Sequence, residues 1–132
     1  MEVVDERVKQ RRAMHDFYVS LFENIQGVTV FETPNVDYFS NYWLSTILIE
    51  PGVRKGITRE SVRLAFEAVN IECRPLWKPM HLQPVFKLYP YYGNHVAENL
   101  FKHGLCMPSG SNLTDEDRAR IAHVVNGIFN GE

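Results

Sequence analysis

The ten residues WKPMHLQPVF, Trp77 to Phe86, hold the densest group of chemistry-bearing side chains in the sequence: a tryptophan, a lysine, a histidine and two prolines among mostly apolar neighbours. Lys78 and His81 are donors suited to a phosphate or sugar oxygen, and Trp77 offers a flat face to a ring. The same residues also suit a structural part, in which Trp77 and Phe86 plug the core, His81 bonds a carbonyl and the prolines stiffen a long connection. Spacing alone leaves both readings open. Pro79 and Pro84 lack a backbone donor and disfavour helix in the residue before them, so the spacing predicts neither a regular helix nor a central strand. It predicts an irregular segment of fixed shape, and such segments often carry function on a rigid scaffold.

Other chemistries find less in the sequence. His15, His81, His95, His103 and His123 are scattered, with no pattern that puts two metal ligands on one helix face, so no metal is expected. Ser109 lies in Pro-Ser-Gly-Ser and lacks the Gly-x-Ser-x-Gly elbow of an acyl-transfer nucleophile. Ser109, Gly110 and Ser111 read either as the turn feeding a helix cap at Thr114 or as a phosphate-cradling loop. Cys73 and Cys106, the only cysteines, form no CxxC pair and read as small buried hydrophobes.

The elements that must position these residues follow from periodicity. Met14, Phe17, Tyr18, Leu21 and Ile25 recur at helical spacing, and Gly27 supplies a left-handed stop for a first helix starting near Val4. Val28 to Glu32 alternates as a short strand. Asn41 to Ile49 is aromatic and β-branched on both faces, which predicts a central strand covered from both sides. Thr58 caps a second helix with the stripe Val62, Ala65, Phe66 and Val69, closed by Asn70. Ile71 to Arg74 reads as a short strand leading into the irregular segment, and Asn94 to Lys102 as a third helix ending at Gly104. Leu105 to Gly110 reads as a short extended piece. Thr114 and Asp117 form a near capping box for a last helix with the stripe Ile121, Val124, Val125 and Ile128. This order predicts one α/β domain, α+β-like, with a small, mostly antiparallel sheet flanked by helices.

Composition narrows the function classes. With 132 residues, 45% of them hydrophobic, one compact core is expected. Fourteen Lys and Arg stand against 16 Asp and Glu, which argues against a nucleic-acid partner, since neutralising phosphates needs a basic excess or a concentrated basic face. Arg7, Lys9, Arg11 and Arg12 spread around a helix beside Asp5 and Glu6 and read as a solvated face. No apolar stretch is long enough to span a membrane, and the cysteine usage makes the cytoplasm the expected compartment.

The stretches ECRPLWKPMHLQPVF and AENLFKHGLCMPSGSNLTDEDRARI, with SNYWLSTILIE and the opening DERVKQRRAMHDFY, resemble in order the C-terminal domain of the DegT/DnrJ/StrS-type sugar aminotransferases. These are pyridoxal-phosphate enzymes of the aspartate aminotransferase fold (fold type I). The resemblance implies transfer of an amino group from an amino acid, glutamate above all, to a keto-sugar nucleotide. The sub-pattern Arg-Pro-x-Trp-Lys-Pro-Met-His resembles the branch acting on UDP-linked 4-keto sugars for surface polysaccharides and glycans. It also implies a homodimer, with the Trp77 to Pro84 segment at the mouth of the active site near the dimer interface. Carried over residue by residue, His81 contacts the nucleotide portion of the substrate, with Lys78, Trp77 and Arg74 beside it; Arg74 also suits an ion pair at a strand end. Asn41 and Tyr42 are packing and loop residues on this reading.

Relatives of this kind run to nearly three times this length, so the resemblance implies a large domain ahead of Met1 that carries the Schiff-base lysine and the cofactor site. Lys9, Lys55, Lys78, Lys87 and Lys102 all lie outside that motif. No catalytic residue, bound cofactor or independent activity is expected of these 132 residues alone. The alternative is a free-standing, non-catalytic module of the same fold that holds a nucleotide sugar or a protein partner.

Overall fold

The computed structural model describes residues 3–131 of the chain. Helix α1 (Val4–Phe22) leads to strand β1 (Val28–Val30) and, after a long loop, to β2 (Ser45–Ile49). Helix α2 (Arg59–Glu67) and strand β3 (Arg74–Pro75) follow, then two single 3-10 turns, Met80–Leu82 and Pro84–Phe86. Helix α3 (Val96–His103) runs directly into β4 (Gly104–Met107), and α4 (Asp115–Phe129) ends the fold. The sheet order is β1-β2-β4-β3 and every neighbouring pair is antiparallel.

Alternation decides which face of the sheet is the core. In β2 the side chains of Ser45, Ile47 and Ile49 are buried while Thr46 and Leu48 are only half-buried. Ile47 pairs with Leu105 across the β2–β4 ladder. Ile47, Ile49, Leu105 and Met107 join Met14, Tyr18 and Phe22 of α1, Val62 and Phe66 of α2, and Ile121, Val125 and Phe129 of α4 in one cluster. The helix α3 buries none of its side chains and lies across the outer face near Thr29 and Leu48. The strand expected over Asn41–Ile49 is therefore shorter and covered less evenly than its composition predicts. Its first four residues are irregular, with a bend at Trp43 and Leu44 and Tyr42 at φ 44.

The piece read from sequence as a short extension, Leu105 onward, is the most buried strand of the sheet. Gly104 allows this: a Cβ there would collide with the Leu76 side chain and the Leu100 carbonyl. Two helix caps form as the sequence predicts, with Thr58 accepting from Ser61 N and Thr114 from Asp117 N. Gly27 takes φ 83 after α1, and Asn70 takes φ 59 after α2.

The basic cluster on α1 departs from expectation. Arg11 donates to the carbonyls of Trp43 and Ser109, and Arg12 donates to the Ser40 carbonyl while lying over the Phe39 and Tyr42 rings. Two of its four cations thus pin the loop before β2 rather than facing solvent, because an arginine's forked donors reach carbonyls that the loop would otherwise leave unpaired. Cys73 and Cys106 are both buried and free. Burial pushes the Cys73 thiol up to about 12 and also raises that of Cys106, so neither is a ready nucleophile.

Candidate functional site

The irregular segment keeps its shape through short backbone bonds. Leu82 N donates to Pro79 O at 3.0 Å and Gln83 N to Met80 O at 2.9 Å, closing the first turn. Phe86 N donates to Gln83 O at 3.0 Å, closing the second, and the Gln83 amide reaches the Lys78 carbonyl at 3.3 Å. Pro79 and Pro84 sit at the start of these turns, where a missing N–H costs nothing and a fixed φ helps. Phe86 is half-buried and Trp77 is 66% exposed, so the tryptophan is no core plug.

His81 lies in the first turn and faces α3. Its Nε2 lies 2.7 Å from Glu98 Oε1, and the Tyr91 ring stacks on the imidazole at 3.7 Å between centroids with a 24° tilt. His95 Nδ1 reaches the same Glu98 oxygen at 2.7 Å, and His95 N donates to the Tyr91 hydroxyl at 3.3 Å. Hydrogen bonds from His95 and then His81 hold the Glu98 carboxyl below its ordinary range, so it is an ionised acceptor.

The other candidates lie elsewhere. Arg74, at the start of the edge strand β3, is paired with Glu72 at 2.7 Å. It lines a cavity of about 440 Å³ together with Trp43, Glu72, Trp77 and Cys106. The Trp43 and Trp77 ring centroids are 6.3 Å apart, tilted by 42°, and both rings are mostly exposed. Lys78 is exposed and does not line this cavity. The structure therefore brings Arg74 and Trp77 together, sets His81 in a separate cluster, and leaves Lys78 apart from both.

Sequence reasoning missed Trp43, Tyr91, His95 and Glu98. The last two carry a readable signal, the i, i+3 spacing across a helix start. Trp43 and Tyr91 carry none, since each is joined to its neighbour only by the fold. Tyr42 and Asn41 do serve the loop: Tyr42 stacks on His15 at 3.5 Å and its hydroxyl accepts from Thr33 N, while Asn41 Oδ1 accepts from Trp43 N. Ser109 Oγ donates to Met107 O and accepts from Ser45 N, each at 2.8 Å, a buried latch instead of a phosphate loop.

The five lysines are all exposed. A lysine that condenses with a cofactor aldehyde needs an enclosed setting that holds the ring and lowers its own basicity. None of the five lysines has such a setting. Nor is there, among the described residues, a group of three His, Cys, Asp or Glu able to hold a metal ion, or a helix long and apolar enough to cross a membrane.

Comparison with known proteins supplies the remaining observation: residues 1–126 match the model of the DegT/DnrJ/EryC1/StrS aminotransferase family. The chain belongs to that family. EpsN of Bacillus subtilis (strain 168), provisionally named a pyridoxal phosphate-dependent aminotransferase, is 39% identical over 133 residues, covering 98% of this chain and 33% of that protein. The GDP-perosamine synthase of Escherichia coli O157:H7 is 27% identical over 129 residues, again 98% of this chain and 33% of its own length. The crystal structure of DesV from S. venezuelae superposes with a TM-score of 0.81 at 21% identity, over 96% of this chain and 33% of its own. The fold is that of part of a fold type I aminotransferase. The chain spans about a third of the length of the curated relatives it matches, a share that fits the family's C-terminal domain.

Proposed function

We propose that this chain is the C-terminal, substrate-side domain of a cytoplasmic enzyme that transfers an amino group from an amino acid, glutamate in our reading, to a UDP-linked 4-keto sugar for surface polysaccharide or glycan assembly. Pyridoxal phosphate supplies the electron sink for such a transfer, and on this reading a large domain outside these residues holds it. The working enzyme is a homodimer. His81 hydrogen-bonds the nucleotide portion of the substrate, Trp77 offers a ring face and Lys78 a mobile cation for phosphate oxygens. Arg74, already paired with Glu72, contributes least.

The observation that carries this reading is the fixed presentation of His81. Two proline-started turns and the Glu98 and Tyr91 contacts hold its ring on a segment whose neighbours Trp77 and Lys78 are exposed. A ring held in advance loses little entropy on binding. The relative named GDP-perosamine synthase supports a sugar-nucleotide substrate, and its name speaks for GDP, so the base is the first thing to test.

His81→Ala in the complete enzyme removes binding made equally in the ground and transition states, so KM for the keto-sugar nucleotide rises roughly 2- to 13-fold with kcat unchanged. Steady-state kinetics with UDP-, GDP- and TDP-linked keto sugars checks both the residue and the base. A hundredfold loss of kcat would make His81 a general acid or base instead. An unchanged KM with a lowered melting temperature would make it structural. Nucleotide-sugar binding by a protein that has no large domain at all would favour the free-standing module.

A further inference from the structure

His81 has two ring nitrogens, and Glu98 takes one of them. Nε2 lies 2.7 Å from the Glu98 carboxylate, which is ionised and can only accept, so Nε2 must carry the hydrogen. In the neutral ring Nδ1 is then a bare lone pair. Nδ1 has no hydrogen-bond partner among the described residues, on a side chain that keeps 17% of its surface exposed. The stacked Tyr91 ring covers a face of the imidazole and restrains it from turning to exchange the two nitrogens. His95, bonded to the same carboxylate oxygen, restrains Glu98 in turn.

We propose that Glu98 is a positioning residue: it fixes the orientation and tautomer of His81 so that Nδ1 is presented to the substrate as a hydrogen-bond acceptor, and the substrate group that meets it is a hydroxyl of the ribose or sugar rather than a phosphate oxygen. This rests on the reading of His81 as a substrate contact. The chemistry behind it is a matching of donors to acceptors. A bare imidazole nitrogen faced by a phosphate oxygen sets two acceptors against each other, whereas a hydroxyl donates into it. It also assigns Lys78, and not the histidine, to any phosphate contact made by this segment.

The test joins a spectroscopic arm to a kinetic one. With 15N-labelled histidine at alkaline pH, where an imidazole is neutral, the His81 ring in this chain gives an unprotonated Nδ1 and a protonated Nε2. Glu98→Gln keeps an acceptor and so keeps that pattern, while Glu98→Ala moves it toward a mixture of tautomers. A wild-type ring protonated at Nδ1 and bare at Nε2, or an Ala variant with an unaltered pattern, overturns the assignment to Glu98. In the complete enzyme saturated with nucleotide sugar, Nδ1 stays unprotonated; protonation on binding would overturn the hydroxyl and point to phosphate.

Kinetically, Glu98→Ala raises KM by no more than the roughly 2- to 13-fold set by His81→Ala, leaves kcat alone, and adds nothing in the double variant. Glu98→Gln restores most of the wild-type KM. A melting temperature lowered with KM unchanged in Glu98→Ala would reduce Glu98 to a structural residue. If His81→Ala leaves KM unchanged, the substrate-contact reading falls while the tautomer measurement still decides what Glu98 does to the ring.

Discussion

The corner at residues 108–109, just after β4, and the stretch at 77–92 both lie outside the sheet and the α-helices, and they are held in opposite ways. At the corner, Tyr18 donates to Pro108 O at 2.7 Å, Ser45 N donates to Ser109 Oγ, and Arg11 donates to Ser109 O, from partners 90, 64 and 98 residues away. Along 77–92 the backbone bonds close turns three residues apart, and few side chains bridge to other elements. Trp77, Val85, Leu88, Tyr89 and Tyr92 are exposed. Long-range bonds mean that the corner takes its shape only when the domain folds. Local turns and two prolines shape the stretch without spending its side chains, which leaves them for other molecules.

The widest contrast should come from truncating one large aromatic in each region. Tyr18 is fully buried and its hydroxyl is bonded, so Tyr18→Ala removes a ring from the core and leaves Pro108 O without its partner. The expected cost is about 3–5 kcal/mol, the usual range for a buried aromatic. Trp77→Ala in the exposed stretch is expected to change stability by no more than about 0.5 kcal/mol. Urea unfolding of the two variants measures both, and comparable losses would erase the distinction drawn between the regions.

A smaller effect isolates the corner's hydrogen bonds. Ser109→Ala deletes one oxygen that both donates to Met107 O and accepts from Ser45 N in a buried place. A buried group left unpaired costs about 1–3 kcal/mol, so the loss should fall in that range, with the folded chain otherwise intact. If Ser109 served a ligand instead, its removal would leave unfolding unchanged and weaken binding.

What the sequence disclosed follows the same division. Caps and stops were legible because their signals are local: Thr58 with Ser61, Thr114 with Asp117, and Gly27 all act within a few residues. The antiparallel sheet was legible from strand order, yet β4 passed for a minor extension because Leu105-Cys106-Met107 lacks the β-branched run that marks a central strand. Arg11 and Arg12 misled for a related reason. Charge pattern suggests solvent, and the carbonyls they reach belong to a loop some 30 residues on. Of the candidate site, the irregular shape was readable from Pro79 and Pro84. The Glu98 anchor of His81 and the Trp43–Trp77 pair depend on distant segments meeting, which no local pattern encodes.

The subtlest effect tests whether α1 seals its side of the comparison as completely as its bonds suggest. His15 is 2% exposed, stacked flat on Tyr42, and neither ring nitrogen has a partner among the described residues. Burial lowers its affinity for a proton; the nearby charges of Asp16 and Glu32 work against this and that of Arg12 with it. Well above its ordinary value of 6.5 the ring is neutral in both folded and unfolded chains, so His15 contributes no pH dependence there. As pH falls below that value the unfolded chain takes up a proton that the folded one resists, and stability drops until the folded ring is protonated too. His15→Phe keeps a flat ring against Tyr42 and removes the titration. Melting temperatures of the two proteins should run parallel near pH 8, begin to separate as pH approaches 6.5 and diverge below it, the wild type falling faster. Glu60, Glu98 and Asp117, whose carboxyls are held below their ordinary values of 4.5, 4.5 and 3.8, lose their contributions only at lower pH and do so in both proteins. The difference between the curves therefore belongs to position 15. Curves that stay parallel down to pH 5 would mean that the folded chain protonates His15 as readily as the unfolded one, and that this face of α1 is open to water.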